Sequence, residues 1–180
     1  MLRVSFTVIL IFLFASCHDF KKREQLVAVG DMISTSDSIQ RVLETYSPDS
    51  ARKIASNVTA VLLAIRENYH NDTLSLETGK RLDAYKMVLT DLKNARKIHA
   101  QIQDGITEEK PLLIKLQQDI STGAGDRSRY AEYISFEKNK ITQLNVLLKS
   151  WQEILDRYTD TYKDLHEEMK QLGTTGNFNS

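Results

Sequence analysis

The groups in this chain that carry metal, nucleophilic or acid–base chemistry are four histidines, one cysteine and the carboxylates of charged helical stretches. The histidines are His18, His70, His99 and His166, and the one Glu-x-x-His is Glu67-Asn68-Tyr69-His70. A ferritin-like di-iron centre needs two such motifs, with further carboxylates facing inward from other helices. The corresponding positions here are Arg96 before His99 and Lys163 before His166, so no metal ligand is assigned and no cofactor is expected. Gly-x-Gly-x-x-Gly, Walker A, Gly-x-Ser-x-Gly and His-Glu-x-x-His are all missing, which leaves nucleotide and hydrolase chemistry without an anchor. Trp151, Tyr158 and Tyr162, with His99, remain as a candidate ligand or partner surface. At heptad spacing those rings read first as core, and His99 on the same kind of seam reads as a hydrogen-bonded core residue. Catalysis is not expected.

Charge and cysteine count narrow the classes further. The chain has 180 residues with 24 basic and 24 acidic side chains, so no excess of positive charge favours nucleic acid. A single cysteine excludes an internal disulfide and a multi-cysteine zinc site. Two prolines and seven glycines are few for a loop-rich β-sandwich.

That cysteine follows an unusual N-terminus. Arg3 supplies a positive start, Val4 to Phe14 is apolar apart from Ser5 and Thr7, and Ala15-Ser16 are small residues where a signal peptide would be cleaved. The run is short for crossing roughly 30 Å of hydrocarbon. The stretch Leu13-Phe14-Ala15-Ser16-Cys17 resembles the lipobox of bacterial lipoproteins. The resemblance implies that Cys17 receives a diacylglyceryl thioether, becomes the mature N-terminus and is N-acylated. It covers residues 1–17 and implies nothing about the fold. In that family an Asp directly after the cysteine retains the protein at the inner membrane. Here His18 takes that place, so the resemblance implies a lipid-anchored protein of the cell envelope, at the outer membrane and facing the periplasm. Removal of residues 1–16 takes away Arg3 and leaves 23 basic against 24 acidic side chains, a near-neutral mature chain. Lys21, Lys22 and Arg23 would then lie near anionic headgroups, each adding about 1 kcal/mol, or serve simply as a solvated linker.

The elements that must position the rings are long amphipathic helices. Tyr130, Ile134, Glu137, Ile141, Leu144, Leu148, Trp151, Leu155, Tyr158, Tyr162, Leu165, Met169 and Leu172 keep unbroken 4-3 spacing, with Glu137 the polar exception. Asp126 is placed to cap that helix after the Gly123-Ala124-Gly125 turn, and Gly173 to end it. Tyr133, Leu147 and Ile154 add a flanking apolar row, which widens the seam toward more than one neighbour. A second 4-3 stretch runs from Tyr85 to Ile120, with His99 and Glu109 as exceptions and Ser75 or Thr78 as its cap. Gly105 and Pro111 mark an expected kink or a restart at Thr107. Residues 24–70 suggest a helix weakened around Ser34-Thr35-Ser36, a restart at Ser47-Pro48, and a break at Asn71-Asp72. These two shorter helices either pair as a hairpin against part of the long pair or run on as a third arm.

Folding about residue 124 forces an antiparallel hairpin in which residue i faces roughly 248 minus i. Glu109 and Glu137 then share one level, with Lys110, Lys138 and Lys140 available to neutralise them. The acidic stripe Asp156, Asp160, Asp164 and Glu168 faces Lys80, Arg81, Lys86 and Lys93, which reads as charge pairing between helices rather than a cation site. The expected fold is therefore all-α: an elongated antiparallel three- to four-helix bundle with a coiled-coil-like long hairpin. It divides into signal peptide 1–16, acylated cysteine and basic linker 17–24, bundle 25–172 and loose tail 173–180. The expected function is a non-enzymatic protein-binding or structural module, held at the membrane by lipid on Cys17, that meets an envelope protein or a second copy of itself. The alternative is a small-ligand- or metal-binding bundle, a sensor-like or carrier domain, built around His99, Trp151, Tyr158 and Tyr162.

Overall fold

The structure, a computed structural model, describes residues 2–69 and 74–175, with side chains described from Phe20 onward. His70, the break at Asn71-Asp72 and residues 176–180 of the expected tail lie outside the described residues, as do the side chains of Cys17 and His18. The chain forms four α-helices: α1 (Leu2–Glu44), α2 (Pro48–Asn68), α3 (Leu76–Thr122) and α4 (Tyr130–Thr175). A 3-10 turn, Arg127–Arg129, leads into α4, and no strand occurs among the described residues. The protein is a helical bundle. Its residues form two compact units, one of Met1–Val42 with Gln103–Asn145 and one of Leu43–Ile102 with Val146–Ser180. Each unit is a three-helix bundle of segments of α3 and α4, completed by α1 in the first and α2 in the second. The two shorter helices thus do not pair as a hairpin of their own.

Local chemistry sets the helix ends. Ser47 caps α2 by accepting from the Ser50 N–H at 3.3 Å, and Pro48 takes the first helical position, where its missing N–H costs nothing. Ser75 caps α3 by accepting from the Thr78 N–H at 3.1 Å. At the other end of α3, Gly123 has φ +72° and the Ala124 N–H returns to the Asp119 carbonyl at 2.9 Å, a six-to-one closure that needs a left-handed residue. The Tyr130 hydroxyl, 2.8 Å from the Asp119 carbonyl and also within reach of the Ala124 carbonyl, ties the start of α4 to this turn. Asp126 caps the 3-10 turn, accepting from the Ser128 N–H at 3.0 Å, so α4 proper begins at Tyr130 rather than at the aspartate.

Three expected interruptions do not interrupt. Ser34, Thr35 and Ser36 lie inside α1, where the Thr35 and Ser36 hydroxyls donate to the Asp31 and Met32 carbonyls at 2.8 and 2.9 Å. Ser36 is wholly buried, and that internal bond satisfies a hydroxyl that water cannot reach. Pro111 sits inside the unbroken α3. It and Thr107 are exposed, so the Thr107 carbonyl that loses its helical partner faces solvent. Gly173 does not end α4, which runs to Thr175. A Cβ at Gly173 would lie 3.1 Å from the Ala64 Cβ and 3.3 Å from the Ile65 backbone nitrogen, so glycine here permits close approach of α2 and α4.

The apolar seams point inward. Tyr85, Val88, Leu92, Ala95, Ile102, Ile106, Leu113, Leu116 and Ile120 are buried, and His99 is half-buried. No member of the α4 seam is exposed. In the first unit Gly105 meets Leu144 and Glu109 meets Lys140. In the second, Asp91 meets Arg157 and Arg81 meets Glu168. These pairs sum to 248 or 249, as folding about residue 124 requires. Of the expected acidic–basic facing set, Arg81–Glu168 is the pair that forms between helices among the described residues, while Asp160 and Lys86 pair locally with Lys163 and Asp83.

Candidate functional site

All four candidate surface residues belong to the second unit, but they do not form one cluster. His99 on α3 and Trp151 on α4 come together, with ring centroids 5.5 Å apart. Tyr46, in the link between α1 and α2, completes the group at 5.1 Å from His99 and 5.4 Å from Trp151, edge-on to the indole. Trp151 is 1% exposed, and its Nε1–H is a buried donor without a hydrogen-bond partner among the described residues. Tyr158 is buried too; burial pushes its hydroxyl above the ordinary tyrosine value, and the nearby Tyr46 adds to the effect.

Tyr162 belongs to a second cluster. Its ring stacks on His166 with centroids 4.5 Å apart, and its hydroxyl accepts from Asn57 Nδ2 of α2 at 2.8 Å. The Tyr85 hydroxyl lies 2.6 Å from His166 Nδ1. Burial raises the Tyr85 hydroxyl well above the tyrosine range, with Tyr162 and Glu167 contributing, so it stays protonated. A protonated phenol can donate to or accept from Nδ1, so the direction of this bond follows the His166 tautomer. The chain Tyr85–His166–Tyr162–Asn57 links α3, α4 and α2 through two hydrogen bonds and one ring stack. Its direct effect is to fix how the three helices meet.

Tyr46, Tyr85, His166 and Asn57 are absent from the sequence-derived candidates. The hairpin register holds the signal for two of them, because it places Tyr85 opposite about 163, a turn from His166. It likewise places His99 opposite about 149, close to Trp151. Tyr46 and Asn57 carry no such mark, since they come from elements outside the hairpin.

The second concentration of titratable groups lies in the first unit. Lys140 Nζ donates to both oxygens of Glu109 at 2.9 and 3.1 Å and lies 3.6 Å from Glu137 Oε2, an ion pair too long for a hydrogen bond. That Glu137 oxygen is buried without a hydrogen-bond partner among the described residues. Burial, then the hydrogen bond and negative charge of Glu109, raise the Glu137 carboxyl above its usual value. Lys110, also expected here, turns instead to Asp37 of α1 at 2.7 Å, and the shared neutralising charge is Lys140. A lysine inserted between two carboxylates holds the place a metal ion would need. Among the described residues no group of three or more His, Cys, Asp or Glu is placed to hold a metal ion, and no helix is long and apolar enough to cross a membrane. No family model matches the chain, and no solved structure matches it.

Proposed function

We propose that this chain is a lipid-anchored helical bundle of the bacterial cell envelope, tethered through Cys17 and working by contact rather than catalysis. The observation that carries the reading is the sole cysteine directly behind an apolar run and two small residues. Two or more acyl chains on that sulfur and the new amino group give stable attachment, at about 0.8 kcal/mol per buried methylene. The fold supports the reading at one point: α1 contains both Cys17 and the buried Val29, Met32 and Ile39, so the tether leads into the packed body along one helix. The body then offers helical faces to an envelope protein or to a second copy, on the periplasmic side of the outer membrane.

Acyl labelling of the full chain in a bacterial host tests the tether. Cys17→Ser should lose the label and leave the membrane fraction. Unchanged membrane retention would mean that the segment itself is the anchor. Crosslinking in cells tests the contact role, which loses its basis if the protein stays monomeric and captures no envelope protein.

The rival, a small-ligand-binding bundle, has one observation in its favour. Among the described residues the Trp151 Nε1–H lies buried and unpaired beside His99 and Tyr46, as a donor awaiting an acceptor would. A single ordered water meets the same need. Native mass spectrometry separates the two, because a co-purifying small molecule favours the rival.

A further inference from the structure

A cavity of about 320 Å³ in the first unit lies where the middle of α1 meets the α3–α4 turn. Lys21, Lys22, Gln25, Thr122, Gly123 and Arg127 contribute to its lining, which among the described residues includes three cationic side chains and no acidic one. Two of the cations also serve the fold. α3 has no basic residue in its last turn, and its end is served from elsewhere: Lys22 Nζ donates to the Ser121 carbonyl at 2.7 Å and Arg127 Nε to the Gly123 carbonyl at 2.9 Å. Each bond uses one donor and leaves the others on the same head group free. Lys21 is exposed and makes no ion pair among the described residues. The helix end contributes about half a negative charge, so the three cations leave an excess of about two and a half positive charges among the described lining residues. Among the described residues, the acids that neighbour the lining in sequence are engaged elsewhere or lie off it. Asp126 accepts from Ser128, Glu132 pairs with Arg129 at 3.0 Å, and Glu24 and Asp119 do not line the cavity.

The cavity also has a fixed place along the chain. Lys21 follows Cys17 by four residues in α1, about 6 Å along a helix axis. Phe20 beside it is 65% exposed, an aromatic ring suited to a membrane interface. We propose that this cavity binds the phosphate of an anionic phospholipid headgroup, docking the α3–α4 turn onto the bilayer that holds Cys17. The proposal rests on the tether for its geometry, while its chemistry is tested separately.

The test is hydrogen–deuterium exchange of the full chain with phosphatidylcholine vesicles that contain or lack phosphatidylglycerol. Residues 119–130 should exchange more slowly only when phosphatidylglycerol is present. Lys21→Gln and Arg127→Gln should each raise the phosphatidylglycerol needed for half-protection about fivefold. Glutamine keeps an amide donor for the Gly123 carbonyl, and unchanged circular dichroism confirms that the turn persists. Equal protection by phosphatidylcholine alone, or by inorganic phosphate alone, overturns the lipid assignment, as do variants that match the parent. Cys17→Ser run alongside keeps the two readings apart: turn protection that survives it, and falls with Arg127→Gln, supports the cavity whatever happens to the tether.

Discussion

Arg157→Ala and Asp91→Ala break the same ion pair, yet they should differ in cost. The Asp91 side chain is 6% exposed and that of Arg157 is 57% exposed. Two hydrogen bonds join them in a fork, Nε to Oδ2 at 2.8 Å and a terminal nitrogen to Oδ1 at 2.7 Å. Removing the carboxylate leaves a guanidinium already largely in water, so the loss is that of the pair itself, about 1 kcal/mol. Removing the arginine strands a buried carboxylate, which costs about 3 kcal/mol. The gap of about 2 kcal/mol is roughly a thirtyfold difference in the unfolding constant. The double variant should be more stable than Arg157→Ala alone, because it no longer buries an unpaired charge. The assay is urea unfolding of the full chain followed by tryptophan fluorescence. Trp151 is the sole tryptophan, 1% exposed, and lies in the same unit as the pair. An Asp91→Ala cost equal to or above that of Arg157→Ala, or a double variant no better than the arginine variant, refutes the reasoning.

Glu137→Gln should stabilise the protein at neutral pH by about 1 kcal/mol, since it removes a buried charge beside Glu109 while leaving an amide to hydrogen-bond it. Because the folded carboxyl value lies above the usual 4.5, the parent loses stability as pH rises through the window that begins there, and the advantage of the variant should vanish below about pH 4. Thermal melts at both pH values check this, and destabilisation at pH 7 would show that Lys140 needs the second carboxylate. Gly79→Ala should stabilise by about 0.8 kcal/mol, as a Cβ there meets nothing within 4 Å inside a helix. Gly173→Leu should cost more than 2 kcal/mol by forcing α2 from α4. Urea midpoints measure both, and a tolerated leucine would mean that the close approach is dispensable.

Much of this fold is legible without coordinates because the relevant physics is local. A 4-3 repeat states which face of a helix avoids water, and the seam residues from Tyr85 to Ile120 face inward apart from half-buried His99. Two glycines and a short turn determine that α3 and α4 run antiparallel, and the turn's position sets the register that pairs Asp91 with Arg157. Ser47-Pro48 marks its helix start through groups on the same few residues.

Other features depend on residues far away in the chain. Ser36 reads locally as a helix breaker, but burial makes its bond to Met32 worth keeping. Gly173 reads as a stop signal, and only the backbone of Ile65 shows it to be a contact. The candidate rings were identifiable by type, yet their division into a Tyr46–His99–Trp151 group and a Tyr85–His166–Tyr162 group required knowing what α2 and the link before it bring to each level. Periodicity ranks residues by exposure to water because each helix has its own inward face. Which partner waits on that face is a property of packing, and only the tertiary structure decides it.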